Sequence, residues 1–250
     1  MELFVCIKRV PDSAAKIRVA ADGKGIDPAG VEYVISPYDE MALEKAIQIK
    51  EGAGGGTVTV ICHGVPEATK EIRQALAMGA DKAIHIKDAA GGRGPLGIAR
   101  VLADTIRERK YDAVLFGRQS IDSDNSAVGI AVARLLDLPV VSLVTKLEMK
   151  DGVAHAHREA EGGTEVIEVK LPAVFTAQRG LAEPRYPSIK GIMMAKKKPI
   201  EEVEAPAPSG RLEIEKLSPP PERAAGKIVG EGAEAVPELV RLLRQEAKVI

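Results

Sequence analysis

The strongest constraint on this fold is an alternation. Leu3–Ile7, Thr57–Cys62, Ala83–Ile86, Asp112–Phe116 and Pro139–Val144 are short apolar runs bounded by turn residues. Apolar residues in unbroken series, not every second one, mark strands buried on both faces. Between these runs the spacing becomes helical, with Met41, Leu43, Ala46 and Ile47 in one segment and Ile72, Ala75 and Leu76 in the next. Ile98, Val101, Leu102 and Ile106 form a third, and Gly129–Asp137 a fourth. Gly52 and Gly79 stop the first two helices. Parallel strands need crossovers long enough to hold a helix, so this rhythm predicts a doubly wound parallel sheet. The expected class is α/β, Rossmann-like, with helices on both faces.

Several local features refine that outline. Pro11 ends the first strand, and Lys16–Val19 with Val31–Ile35 flank Asp22-Gly23-Lys24-Gly25 in a hairpin-like excursion. Ser36 suits an N-cap, Pro37 the first helical position, and Asp39 the acid of a capping box. After about Leu147 the character changes. Val153–Arg158 and Thr164–Leu171 alternate around Glu161-Gly162-Gly163, an antiparallel hairpin. Ala173–Thr176 is placed to rejoin the main sheet. Gln178–Pro187 is too broken by Pro and Gly for regular structure, and a short helix then leads into Lys196-Lys197-Lys198. Residues 200–223, with Pro219-Pro220-Pro221, read as an extended arm. Leu239, Leu242 and Leu243 give the terminal helix an apolar stripe. The division expected is 1–199 for the α/β domain and 200–250 for an arm and helix that contact another subunit.

At 250 residues and 45% hydrophobic content, the chain has ample material for a core. Aromatic residues make up 3%, with no Trp, which disfavours a stacking-based nucleic-acid reader. A net charge of -1 gives no sign of a polyanion partner. No apolar run is long enough for a membrane span, and Met1–Cys6 shows neither a basic n-region nor an Arg/Ser-rich transit pattern, so no targeting segment is expected there. Two cysteines form neither a disulfide framework nor a zinc pattern. A reduced, cytoplasmic setting is expected.

One loop carries the chemistry. It runs Gly117-Arg118-Gln119-Ser120-Ile121-Asp122-Ser123-Asp124-Asn125-Ser126-Ala127-Val128-Gly129, from a strand end to a helix start. Open α/β sheets bind ligands there. Unpaired N–H groups at Ser126, Ala127 and Val128 would attract a phosphate, helped by the helix dipole. Asp122 and Asp124 either cap the turn or accept hydrogen bonds from a ribose or amide. Cys6 and Cys62 fall at strand ends, where they either line the same crevice or are inert buried thiols. Gly52–Thr57 precedes a strand, so it fails the dinucleotide fingerprint. His155 and His157 share a strand face without further ligands, and no metal site or catalytic set is expected.

Taken together, several stretches make the chain resemble the electron-transfer flavoprotein β subunit over nearly its whole length. They are Val5–Val10, Ala75–Asp81, Gly117–Asp124, Leu171–Val174, Glu183–Tyr186 and Ala195–Pro199. The resemblance implies pairing with an α subunit that carries the redox-active FAD. It implies structural AMP in the β subunit, or a second FAD there in electron-bifurcating relatives. Donors would be acyl-CoA and related dehydrogenases, and the acceptor a membrane quinone oxidoreductase. Nucleotide contacts would be Cys6, Ser36, Pro37, Tyr38, Asp39, Cys62 and Gly117 through Val128. Residues 173–195 match the recognition loop, with Glu183, Pro184, Arg185, Tyr186 and Ile189 at the docking surface. Ile189 stands where relatives commonly have Leu. Glu159 matches an acid that orients the mobile flavin domain. Ala127 and Ser13 replace a Gln and a Tyr found in relatives, which touches the ligand's identity and one flavin neighbour. A stand-alone nucleotide-binding regulator is the rival reading.

Overall fold

The computed structural model describes residues 1–88, 92–207, 213–222 and 225–250. Met1–Lys216 forms one compact unit and Leu217–Ile250 a second. The elements of the first unit begin with β1 (Glu2–Ile7), β2 (Arg9–Pro11), β3 (Tyr33–Ile35), α1 (Pro37–Gly52) and β4 (Thr57–Gly64). Next come α2 (Thr69–Met78), β5 (Lys82–Lys87), α3 (Pro95–Arg107), β6 (Ala113–Gly117) and α4 (Val128–Leu135). β7 (Val140–Lys150), β8 (Val153–Ala160), β9 (Gly163–Lys170), β10 (Ala173–Ala177), α5 (Ile189–Ala195) and β11 (Ile200–Glu204) complete it. The second unit holds α6 (Val236–Leu242), which continues into a π-helical turn at Leu243–Ala247.

Nine strands join in the order β11-β5-β4-β1-β6-β10-β7-β8-β9. The strands from β11 to β7 pair in parallel, and β8 and β9 add antiparallel. From β1 the chain builds outward through β4 and β5, then returns to β1's other side at β6. The order therefore reverses between β1 and β6, which opens a crevice at their carboxyl ends.

Strand alternation divides the core into two layers. Leu3, Val5 and Ile7 of β1 face one way and pack with Ala42, Leu43, Ile47, Ile72 and Leu76 of α1 and α2. Phe4 and Cys6 face the other way and pack with Leu102, Ile106, Val132 and Ala133 of α3 and α4. Helices thus cover both faces, as the unbroken apolar runs require.

Some local expectations are corrected. Pro11 does not end pairing, because it lies opposite Tyr33 in the small antiparallel ladder of β2 and β3. Proline is tolerated at the margin of such a two-stranded ribbon, where its missing N–H faces no partner. The hairpin excursion is reduced to one bridge, Val19 to Ile26. The β8–β9 hairpin extends the main sheet, since β7 is long enough to pair with β10 and then β8. The arm does not begin at Ile200. Residues 200–204 form the edge strand β11 beside β5, with Val203 packed on the core. Alternation over only five residues was masked by Glu201, Glu202 and Glu204, which suit an exposed edge. Residues 208–212 and 223–224 of the proposed arm lie outside those described.

In the second unit no described helical residue is buried, and Leu239 is exposed. Among the described residues no helix is long and apolar enough to cross a membrane.

The layering predicts unequal sensitivity along the sheet. Phe175→Ala removes a fully buried ring from the central strand β10 and should cost about 3–5 kcal/mol in urea unfolding. Val166→Ala on the exposed hairpin should stay within about 0.5 kcal/mol.

Candidate functional site

The crevice between β1 and β6 is a cavity of about 320 Å³, at the small end of the ~300–1,000 Å³ range typical of ligand pockets. Its apolar lining includes Cys6, Ile7, Ile98, Leu102 and Phe116, and its polar lining is mainly the loop after β6.

Asp39 holds this site together. Its Oδ2 accepts the N–H of Lys8 at 2.8 Å, and its Oδ1 accepts the N–H of Gly117 at 2.9 Å. These N–H groups leave the ends of β1 and β6, where no further strand pairs with them. The carboxyl therefore satisfies two donors across the topological switch. This replaces the expected capping-box role. Ser36 stands at the N-cap of α1, but its side chain makes no capping bond and its buried Oγ lacks a partner. Gly117 is required by closeness: a Cβ there would lie 2.4 Å from Asp39 Oδ1 and 2.7 Å from Tyr38 Cβ.

The loop after β6 is internally braced. Gln119 donates from Nε2 to Asp124 Oδ1 at 2.6 Å, and its Oε1 accepts from Arg118 Nε and Ser126 Oγ at 3.0 Å each. Asp124 and Ser126 both adopt positive φ, 49° and 50°. This arrangement is disfavoured for residues with a Cβ and is held by those side-chain bonds. Asp122 is engaged by the end of β1. Lys8 Nζ donates to its Oδ1 at 2.8 Å. Burial alone would raise this carboxyl, but the Lys8 and Ser120 hydrogen bonds and the Lys8 charge hold it below the usual value. α4 begins at Val128 with Ala127 as an N-cap that makes no side-chain bond. The open N–H groups therefore lie slightly further along than expected, from Ala127 through Ile130.

The geometry sorts the sequence-derived contacts. Cys6, Asp39, Gly117, Arg118, Gln119, Ser120, Ser123, Asn125, Ser126, Ala127 and Val128 line the cavity. Ser36 and Cys62 are fully buried and do not. Pro37, Tyr38, Ile121, Asp122 and Asp124 surround the lining without forming it, and Arg118 sits 5.7 Å over the Tyr38 ring. Burial is the main cause that pushes the Cys6 thiol well above its ordinary value and Cys62 to about 12, so neither is a thiolate nucleophile near neutrality. Sequence reading missed Lys8, His63 and Arg93 as lining residues. Their only sequence signal was position just after a strand or before a helix.

A polar chain leads away from the loop. Arg118 Nη1 donates to Gln178 Oε1 at 3.3 Å, and Gln178 Nε2 donates to Glu159 Oε2 at 2.7 Å. Glu159 thus touches the same network as the cavity loop.

The segment before α5 presents a different surface. Tyr186 is 96% and Ile189 81% exposed, beside exposed Ile192, Met193 and Met194. Ile189 does not pack beneath its own helix. Arg185 is paired within the domain: its guanidinium chelates Glu44 at 2.8 and 2.9 Å and Glu51 at 2.7 and 2.9 Å, both on α1. Lys198 is likewise engaged, donating to Leu76 O at the end of α2 at 2.8 Å.

Comparison with known proteins gives one consistent picture. The electron transfer flavoprotein domain family matches residues 24–208. "Electron transfer flavoprotein subunit beta" of Bacillus subtilis is 45% identical, with both chains covered completely. The proteins of that name from Syntrophomonas wolfei and Homo sapiens are 41% and 37% identical, over all of this chain and 98% and 99% of theirs.

Asp39 generates a test. Burial, outweighing the two backbone hydrogen bonds, pushes its carboxyl from 3.8 up to about 7. A folded value above the unfolded one means its contribution to stability is largest at low pH and is lost as pH rises through about 7. Asp39→Ala leaves two buried N–H groups unpaired and should cost roughly 2–4 kcal/mol. The gap to wild type should widen from pH 8 to pH 5 by on the order of 2 kcal/mol in urea melts. A gap independent of pH would refute the assignment.

Proposed function

Because this chain belongs to the electron-transfer flavoprotein family as a β subunit, we propose that it binds AMP structurally at the β1–β6 crevice and pairs with an α subunit carrying FAD. The pair carries electrons in the cytoplasm from acyl-CoA and related dehydrogenases to a membrane quinone oxidoreductase. The chain contributes no catalytic set of its own. The cavity carries this reading. Apolar side chains suit a base, and the N–H groups opening α4 suit a phosphate. Cys6 and the loop from Gly117 to Val128 would hold the nucleotide, with Asp39 fixing the loop's root. The FAD of the α subunit supplies the redox chemistry. The terminal unit, without a buried helical residue, is suited to bury its Leu239 side on that α subunit.

Acid release from the native complex followed by mass spectrometry tests the ligand. AMP at one equivalent, with one FAD, is expected. Two FAD per heterodimer would instead assign the protein to the bifurcating branch, and absence of any adenine nucleotide would refute the site.

The exposed segment at Tyr186 and Ile189 supports dehydrogenase docking. Arg185 and two prolines stiffen it, which lowers the ordering cost of binding. Filling an apolar pocket with an exposed aliphatic side chain is worth roughly 1.5–3 kcal/mol before that cost. Ile189→Ala should slow electron transfer from a cognate dehydrogenase severalfold or more. Melting temperature and flavin content should hold, because Ile189 has little internal packing to lose. Unchanged transfer kinetics would end the docking role.

A further inference from the structure

α5 cannot fix its own position. It spans seven residues, well short of the ~12–15 at which an isolated helix becomes even marginally stable. Of its described residues only Ala195 is buried, while Ile189, Ile192, Met193 and Met194 are exposed. Ser188 Oγ accepts the N–H of Gly191 at 3.0 Å, a local bond that closes the first turn and ties it to no other element. What holds the helix in place must come from α2, against which it packs.

The two helices cap each other. The last carbonyls of a helix lack intrahelical donors and lie at the negative end of its dipole, where a cation is favoured. Arg73 of α2 donates from Nη1 to Ala195 O at 2.6 Å and to Lys198 O at 2.8 Å, closing the end of α5. Lys198, just past α5, donates from Nζ to Leu76 O at 2.8 Å and to Ala80 O at 2.5 Å, closing the end of α2. Between these caps the backbones meet. A Cβ at Gly191 would lie 2.5 Å from Ala77 O, so glycine alone lets α5 lie this close to α2. We propose that Arg73, Lys198 and Gly191 are positioning residues for dehydrogenase docking. They set the angle and depth at which α5 offers Ile189, and they act through α5 alone. A helix held only by its Ser188 cap would offer Ile189 in many orientations, and the partner would bear the cost of ordering them. This rests on the docking reading above.

Steady-state transfer from a cognate dehydrogenase, with the flavin-loaded heterodimer as the varied substrate, tests it. Arg73→Met and Lys198→Met keep an apolar stem and remove a cap. Each should raise KM for the heterodimer roughly tenfold, the effect of losing a hydrogen bond to a charged group, with kcat nearly unchanged. Gly191→Ala should act in the same direction by pushing α5 off α2. Arg73→Lys keeps a cation at the end of α5 and should recover part of the loss. The deciding measurement combines these changes with Ile189→Ala. If Arg73 acts by aiming Ile189, then Arg73→Met in the Ile189→Ala background should cost less than about twofold. Should Arg73→Met not fold, Lys198→Met and Gly191→Ala serve in the same cycle. Full additivity with Ile189→Ala, or an unchanged KM in the cap variants, overturns the positioning role and leaves the docking reading standing. Wild-type kinetics in Ile189→Ala itself would overturn the docking reading and this inference with it.

Discussion

Two hydrogen bonds to one carboxyl hold open the site. Wherever a doubly wound sheet reverses direction, the two strand ends at the reversal diverge, and their last N–H groups lose their ladder partners. Here those groups belong to Lys8 and Gly117, and Asp39 accepts both. Because Asp39 sits in the first turn of α1, the same contact also locks that helix against the switch point. Gly117 is then forced to lack a side chain, since a Cβ would strike the carboxyl. The loop that follows starts from a fixed root, which is the condition for a preorganised site.

Beyond that root the loop is kept in shape by its own polar side chains. Gln119 spans it from Arg118 to Ser126 and Asp124. Lys8 and Asp122 fasten it back to the end of β1. Residues at positive φ cost energy that the surroundings must offset, and this bracing does so. The carboxylates therefore shape the loop from within. The backbone N–H groups at α4 and the apolar floor remain outside this bracing.

The exposed segment before α5 follows the same logic on the surface. Two prolines limit its backbone, and Arg185 bonds two glutamates of α1 through four short contacts. Planar bidentate geometry makes such a clamp directional. Its result is that Tyr186 and Ile189 stay exposed without collapsing onto the α/β domain. An exposed apolar strip of this kind marks an interaction surface.

The sequence by itself determined the architecture and the family. Unbroken apolar runs, helical spacings and the glycines at 52 and 79 are local signals, and they set the parallel sheet and the helices on both faces. The loop from Gly117 to Val128 was legible for the same reason, since it lies within one stretch of chain. What only the tertiary structure decided are pairings between distant positions. Asp39 reads locally as a capping acid, but its partners lie 31 and 78 residues away. Arg185 reads as a docking residue, but its charge is taken by Glu44 and Glu51, 141 and 134 residues away. Ser36 and Cys62 sit on strand and helix ends that point toward the site in sequence, and packing buries them beyond its lining. His63 and Arg93 had no motif to announce them. Local propensity fixes the order of elements, whereas which side chains meet at a strand end depends on sheet order. Strands β4 and β5 bring His63 and Asp88 together only because they pair in register. Edge strand β11 was hidden likewise, because its acidic residues satisfy an exposed edge only once β5 stands beside it.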